Sequence, residues 1–220
     1  MVIINTYIYM ENKTYRIMKV SDNVTLIDGT MANCYDVKIE DRHLLIDAGT
    51  KGSSWKVIAY YKQIQQIPEY ILITHYHPDH TGGLKAITDE FRSKVYVPDN
   101  EMDVVLGKSK IIPTKHLLSK FVSKLMKSNP ITSAIKVTDL NINGISFMKT
   151  PGHTPGSTSY YLESDQVLFV GDAVTNRSGK AIINKAFTLD LKMAEKSKEL
   201  IFNKKAALIL PGHGKPLVGR

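Results

Sequence analysis

The stretch Thr74-His75-Tyr76-His77-Pro78-Asp79-His80-Thr81-Gly82-Gly83 packs three imidazoles and one carboxylate into six consecutive positions. It follows Tyr70-Ile71-Leu72-Ile73, a continuous apolar run of the kind that forms a buried strand. Leu84, Ile87 and Phe91 come after it at helical spacing. The metal-ligand type residues therefore belong where a strand ends.

Alternate side chains of an extended segment point the same way, so His75 and His77 can converge on one cation while Tyr76 faces elsewhere. Pro78 suits the first turn of a helix, which puts Asp79 and His80 at a helix start facing a second cation. Gly82 and Gly83 allow close packing there. Imidazole and carboxylate suit zinc, and a catalytic zinc keeps one position open for water. Such a pair of sites needs more ligands. Pro151-Gly152-His153-Thr154-Pro155-Gly156, Gly171-Asp172 and Gly212-His213-Gly214 each supply one in a glycine-containing turn.

This ordered set resembles the metallo-β-lactamase-fold hydrolases, over the chain from about Val20 onward. The resemblance implies an α/β (α+β) chain folded as a four-layer αββα sandwich. It implies that His75, His77 and His153 bind one metal, that Asp79, His80 and His213 bind the other, and that Asp172 bridges them. It also implies that Asp47, in Ile46-Asp47-Ala48-Gly49, supports the ligands from behind, although an Asx turn after a strand accounts for that residue equally well. The expected chemistry is a dinuclear zinc hydrolase in which two Zn²⁺ roughly 3.5–4 Å apart share a bridging hydroxide. Asp79 would orient that nucleophile or shuttle its proton, and a small carboxylic ester, lactone or thioester would be the substrate. Substrate-binding residues are not legible.

Within the resemblance, true glyoxalase II is disfavoured: the chain ends seven residues past His213, and the Tyr expected shortly after Gly179-Lys180 is missing. Exported β-lactamases are disfavoured by the absence of a signal peptide, and their Cys-ligand subgroup is excluded by Asp172. Phosphodiesterase or nuclease activity is a further alternative, for which the length leaves little room. The rival from another class is a persulfide dioxygenase, which would hold a single Fe²⁺ with His75, His153 and Asp172.

Composition limits the partners. The net charge of +8 comes from 24 Lys against 5 Arg, with no run longer than the pair Lys204-Lys205, which describes a solvated surface rather than a nucleic-acid groove. One cysteine, Cys34, forms no internal disulfide, and no segment has the length of a membrane span. We therefore expect a cytoplasmic protein of one domain, residues 1–220, acting on a small molecule, with the oligomeric state open, a homodimer included.

Along the chain, the pattern up to Asp47 is a β-meander with turns at Asn12, Asp22, Asp28 and Asp41. Helices are expected over 55–67, from about Asp79 to Phe91, and over 189–202. Ile135 to Val137 and Ile145 to Met148 read as paired strands around Asn143-Gly144. Residues 99–129 read as a variable, cap-like segment. In it Leu117, Leu118, Phe121, Val122, Leu125 and Met126 form an amphipathic stripe, with Lys115, Lys120, Lys124 and Lys127 off it. His43 and His116 read as surface histidines, Tyr76 as core packing and Thr74 as the end of a strand.

Overall fold

Successive strands with short connections favour pairing with their neighbours, and β1 (Ile4–Met10), β2 (Lys13–Lys19), β3 (Val24–Ile27), β4 (Cys34–Ile39) and β5 (Arg42–Ile46) do so, antiparallel throughout. This is a computed structural model, and it describes residues 4–10, 13–27, 29–117 and 129–219, with side chains from residue 16 onward. The sheet then changes character. Helix α1 (Ser54–Gln63) carries the chain back over one face, so β6 (Pro68–Leu72) joins β5 in parallel. Beyond α2 (Pro78–Thr81) and α3 (Leu84–Phe91), β7 (Lys94–Val97) and β8 (Ile135–Lys136) also add in parallel. A short helix, α4 (Met102–Val105), follows β7.

The second sheet contains β9 (Ile145–Lys149), β10 (Thr158–Leu162) and β11 (Val167–Gly171). A small hairpin, β12 (Thr175–Arg177) with β13 (Lys180–Ile182), and helix α5 (Leu191–Asn203) come next in the chain. Strands β14 (Leu208–Pro211) and β15 (Leu217–Val218) then complete the order β15-β14-β11-β10-β9.

Three apolar layers hold the elements together. Leu26, Tyr35, Leu44 and Leu72 of the larger sheet meet Tyr160, Leu162, Phe169 and Leu210 of the smaller one. Val57 and Tyr61 of α1 with Leu84 and Ile87 of α3 cover the outer face of the larger sheet. Ile201 of α5 packs beside Leu168 and Ile209 on the outer face of the smaller sheet. Buried on both faces, β11 and β14 read as unbroken apolar runs for this reason. The result is the αββα sandwich expected from the sequence.

Several expectations need correction. Strands β8 and β9 do not pair: β8 extends the larger sheet beside β7, whereas β9 pairs with β10 in the smaller one. The chain crosses between sheets through the turn Val137–Asp139, and both strands point apolar residues into the same interlayer core, so their patterns look alike. The expected helix from Asp79 to Phe91 is two helices, broken at Gly82-Gly83. A Cβ on Gly83 would collide with the Ala48 carbonyl, and Ala48 N–H donates to the His80 carbonyl at 2.7 Å, so the 47–51 turn wedges the helix open. His43 is no plain surface residue: its Nδ1 lies 2.9 Å from Asp36 Oδ1, and the Tyr60 and Tyr61 hydroxyls donate to the same carboxylate at 2.8 Å each. A carboxylate only 3% exposed requires such donors.

The expected turns at Asn12 and Asp28 lie outside the described residues, as does the stripe from Leu118 to Met126 with Lys120, Lys124 and Lys127. Its first member, Leu117, is 81% exposed. Among the described residues, no helix is long and apolar enough to cross a membrane.

Candidate metal centre

The residues singled out in the sequence come from loops that leave the C-terminal ends of β6, β9, β11 and β14. Parallel β11 and β14, with β9 running the same way across β10, deliver three of these ends to one edge of the smaller sheet. Residues 73–77 continue beyond β6. There Tyr76 turns into the apolar core at 2% exposure, leaving His75 and His77 on the opposite side. Pro78 opens α2 at its first turn, which brings Asp79 and His80 round to the same place.

Two clusters result. His77 Nδ1 lies 3.0 Å from His75 Nε2 and 2.9 Å from His153 Nε2, so three imidazoles converge on one point. Beside them, Asp79 Oδ2 lies 3.0 Å from His213 Nε2 and 3.9 Å from His80 Nε2. Asp172 stands between the clusters. Its Oδ1 is 3.4 Å from His80 Nε2, while its Oδ2 is 3.6 Å from His153 Nε2 and 3.5 Å from His213 Nε2. Each cluster of three keeps its ligand atoms within 4.8 Å of one another, close enough to hold a metal ion.

Glycines and side chains at second remove make room for this crowding. Gly171, at φ +49°, admits Thr74 against its α-carbon, and a Cβ on Gly212 would collide with Asp172 Oδ1 and His80. Asn33 Nδ2 and the Tyr35 hydroxyl donate to the Pro211 carbonyl at 2.9 and 2.8 Å, which fixes the His213 turn to the larger sheet. Asp47 Oδ2 lies 2.7 Å from His80 Nδ1 and accepts the Thr74 hydroxyl at 2.8 Å, and that hydroxyl lies 3.0 Å from His75 Nδ1. Asp47 thus reaches two imidazoles, one directly and one through Thr74. Sequence reasoning missed this part of Thr74; its position directly before the first His was the available signal.

The electrostatics divide the clusters. Burial, then the neighbouring His80, His77 and His153, holds His75 well below the usual imidazole range. Burial with His153 lowers His77 to about 3, and burial lowers His153. These rings are neutral, as metal ligation requires. At His80 burial acts downward too, but Asp47, Asp172 and Asp79 together outweigh it and raise the pKa well above normal. Asp172 goes the other way: its burial is outweighed by His80, His213 and His153, which hold it well below the carboxylate range. His80 Nε2 and Asp172 Oδ1 are nevertheless buried without a hydrogen-bond partner, as is His153 Nδ1. Buried polar atoms rarely stay unsatisfied, and a cation between His80 and Asp172 would satisfy both. The donor set fits a divalent metal.

The chain belongs to the metallo-β-lactamase superfamily, whose family model matches residues 27–213. The probable metallo-hydrolase YflN of Bacillus subtilis is 29% identical over 86% of this chain and 83% of its own length. A hydroxyacylglutathione hydrolase of Nitrosomonas eutropha is 32% identical over 60% of this chain but only 42% of its own length. Among solved structures, TTHA1623 in a di-iron-bound form superimposes with a TM-score of 0.69 at 23% identity, covering 85% of this chain and 89% of that one. The fold is therefore that of the family, and the chain is a metal-dependent hydrolase by kinship.

Proposed function

We propose that this protein is a dinuclear zinc hydrolase that cleaves a small carboxylic ester, lactone or thioester in the cytoplasm. One zinc would sit among His75, His77 and His153, the other among Asp79, His80 and His213, with Asp172 spanning both. The observation that carries this reading is Asp172, whose two oxygens reach towards His80 on one side and His153 on the other. When bound, two zinc ions supply Lewis acidity and lower the pKa of a shared water to about 7.

The chain's own part is positioning and proton handling. Asp79 Oδ2 is held by His213, and its side chain is 16% exposed, so it can orient an attacking water and take its proton. His213, with 33% of its side chain exposed, marks the side from which substrate approaches. Asp47 holds His80 and, through Thr74, His75, so the imidazoles do not reorient as charge moves. The hydroxyacylglutathione hydrolases among the relatives support acyl-bond cleavage. A single-iron dioxygenase would use His75, His153 and Asp172 and leave the Asp79–His213 pair without a task.

Metal content of the purified chain, read beside turnover of chromogenic lactones, thioesters and phosphodiesters, tests the proposal. About two zinc per chain with acyl-bond cleavage is expected. About one iron per chain with O₂ uptake overturns it.

A further inference from the structure

One buried carboxylate outside the ligand set touches both segments that carry the imidazole cluster. Glu101 ends the turn Asp99–Glu101 and is 0% exposed. Its Oε2 accepts the Tyr76 N–H at 2.8 Å, and Tyr76 stands between His75 and His77. Its Oε1 accepts the Gly156 N–H at 2.5 Å, on the turn that carries His153. Among the described residues Glu101 has no cationic partner. Burial pushes its pKa up to about 7, against the pull of the Tyr76, Thr154 and Gly156 donors.

A carboxylate is a costly way to fill an apolar space, since a buried acid must collect donors to compensate lost hydration. Here the donors are backbone amides of two loops that approach the centre from different sheets. The space is also matched to it, because a Cβ on Gly156 would run into Glu101 Oε1, Cγ and Cδ. We infer that Glu101 is a positioning residue: it clamps the His75-Tyr76-His77 segment to the Thr154–Gly156 turn, and so fixes where His153 meets the other two imidazoles. The inference rests on the reading that these three histidines hold a metal. A carboxylate suits the task better than an amide, which would turn an NH₂ towards one of the converging donors.

The experiment is a cobalt(II) titration of wild type, Glu101→Gln, Gly156→Ala and the double variant, following the visible ligand-field bands, with folding checked by circular dichroism. Outer partners of metal ligands set affinity by about 10–100-fold, so Glu101→Gln should bind cobalt that much more weakly, with altered bands. Its kcat should fall while KM is kept. Gly156→Ala, which displaces the carboxylate yet keeps its charge, should reproduce the band change, and the double variant should lose little more because both changes break one contact. If Glu101→Gln does not fold, Gly156→Ala decides. Cobalt bands and affinity like wild type in a folded variant overturn the clamp alone. A wild-type chain that takes up no cobalt overturns both the clamp and the metal reading.

Discussion

The two edges of the sandwich treat acidic side chains in opposite ways. At the far edge, Asp165 in the β10–β11 turn has both oxygens satisfied: Ser21 Oγ at 2.6 Å, Asn23 Nδ2 at 2.7 Å, Ser164 Oγ at 2.7 Å and Asn23 N–H at 3.0 Å. That cluster ties a turn of the larger sheet to a turn of the smaller one. At the ligand edge, Asp172 is only 8% exposed, yet its Oδ1 and the facing His80 Nε2 meet only as an ion pair at 3.4 Å, without a well-formed hydrogen bond. The contrast separates polar groups that complete the fold from polar groups kept waiting for something else. A chain selected for stability alone would not leave the second kind buried.

The comparison breaks first at Asp172. Asp172→Ala should abolish turnover, a larger loss than the roughly 100-fold of outer-partner changes, and should empty the second metal position. A metal-loaded variant with wild-type rates would end the bridging assignment. Removing His213 should act on one cluster only: it is one-third exposed and His75 is fully buried, so His213→Ala should keep one metal per chain and lose the other. Equal loss of both metals would merge the clusters into one cooperative site.

Asp47→Asn keeps an acceptor near His80 but removes the charge, and activity should fall by about 10–100-fold with metal affinity falling alongside. The far edge should respond in reverse. Asp165→Ala should leave activity alone and lower stability at neutral pH by about 1 kcal/mol or less, since this carboxylate is only part-buried and water screens its contacts. Burial raises the Asp165 pKa, but the bonds from Ser21, Asn23 and Ser164 outweigh it and bring it below the ordinary value. Its stabilisation is therefore present above the unfolded carboxylate pKa and lost as pH falls through the folded one. Melting curves of variant and wild type should converge below about pH 4, and a constant gap would contradict this. The smallest effect belongs to Cys34→Ser, a buried site whose sulfur takes no part in the centre. Catalysis should persist, with a melting temperature lower by about 2–4 °C for each kcal/mol of buried hydroxyl left unpaired.

Much of this was readable without coordinates. The alternation of His75 and His77 about Tyr76, the placement of Pro78 and the glycine-flanked His153, Asp172 and His213 all follow from local geometry, which adjacent residues determine among themselves. The apolar runs into β6, β11 and β14 were equally plain, because strands buried on both faces have no polar positions to blur them.

What remained hidden depends on residues distant in the chain. Ile135 and Ile145 carry the same apolar signal, and only the packed sheets assign them to different partners. Thr74, His43 and Glu101 look ordinary until Asp47, Asp36 and the Gly156 turn arrive beside them. The sequence by itself determined which ligand-type side chains the chain carries and at what spacing, since these are properties of short segments, while their grouping into two metal positions came from the resemblance. Only the tertiary structure decided which buried acids are satisfied and which are left open, because a hydrogen-bond partner 50 or more residues away, as Gly156 is from Glu101, has no local signature.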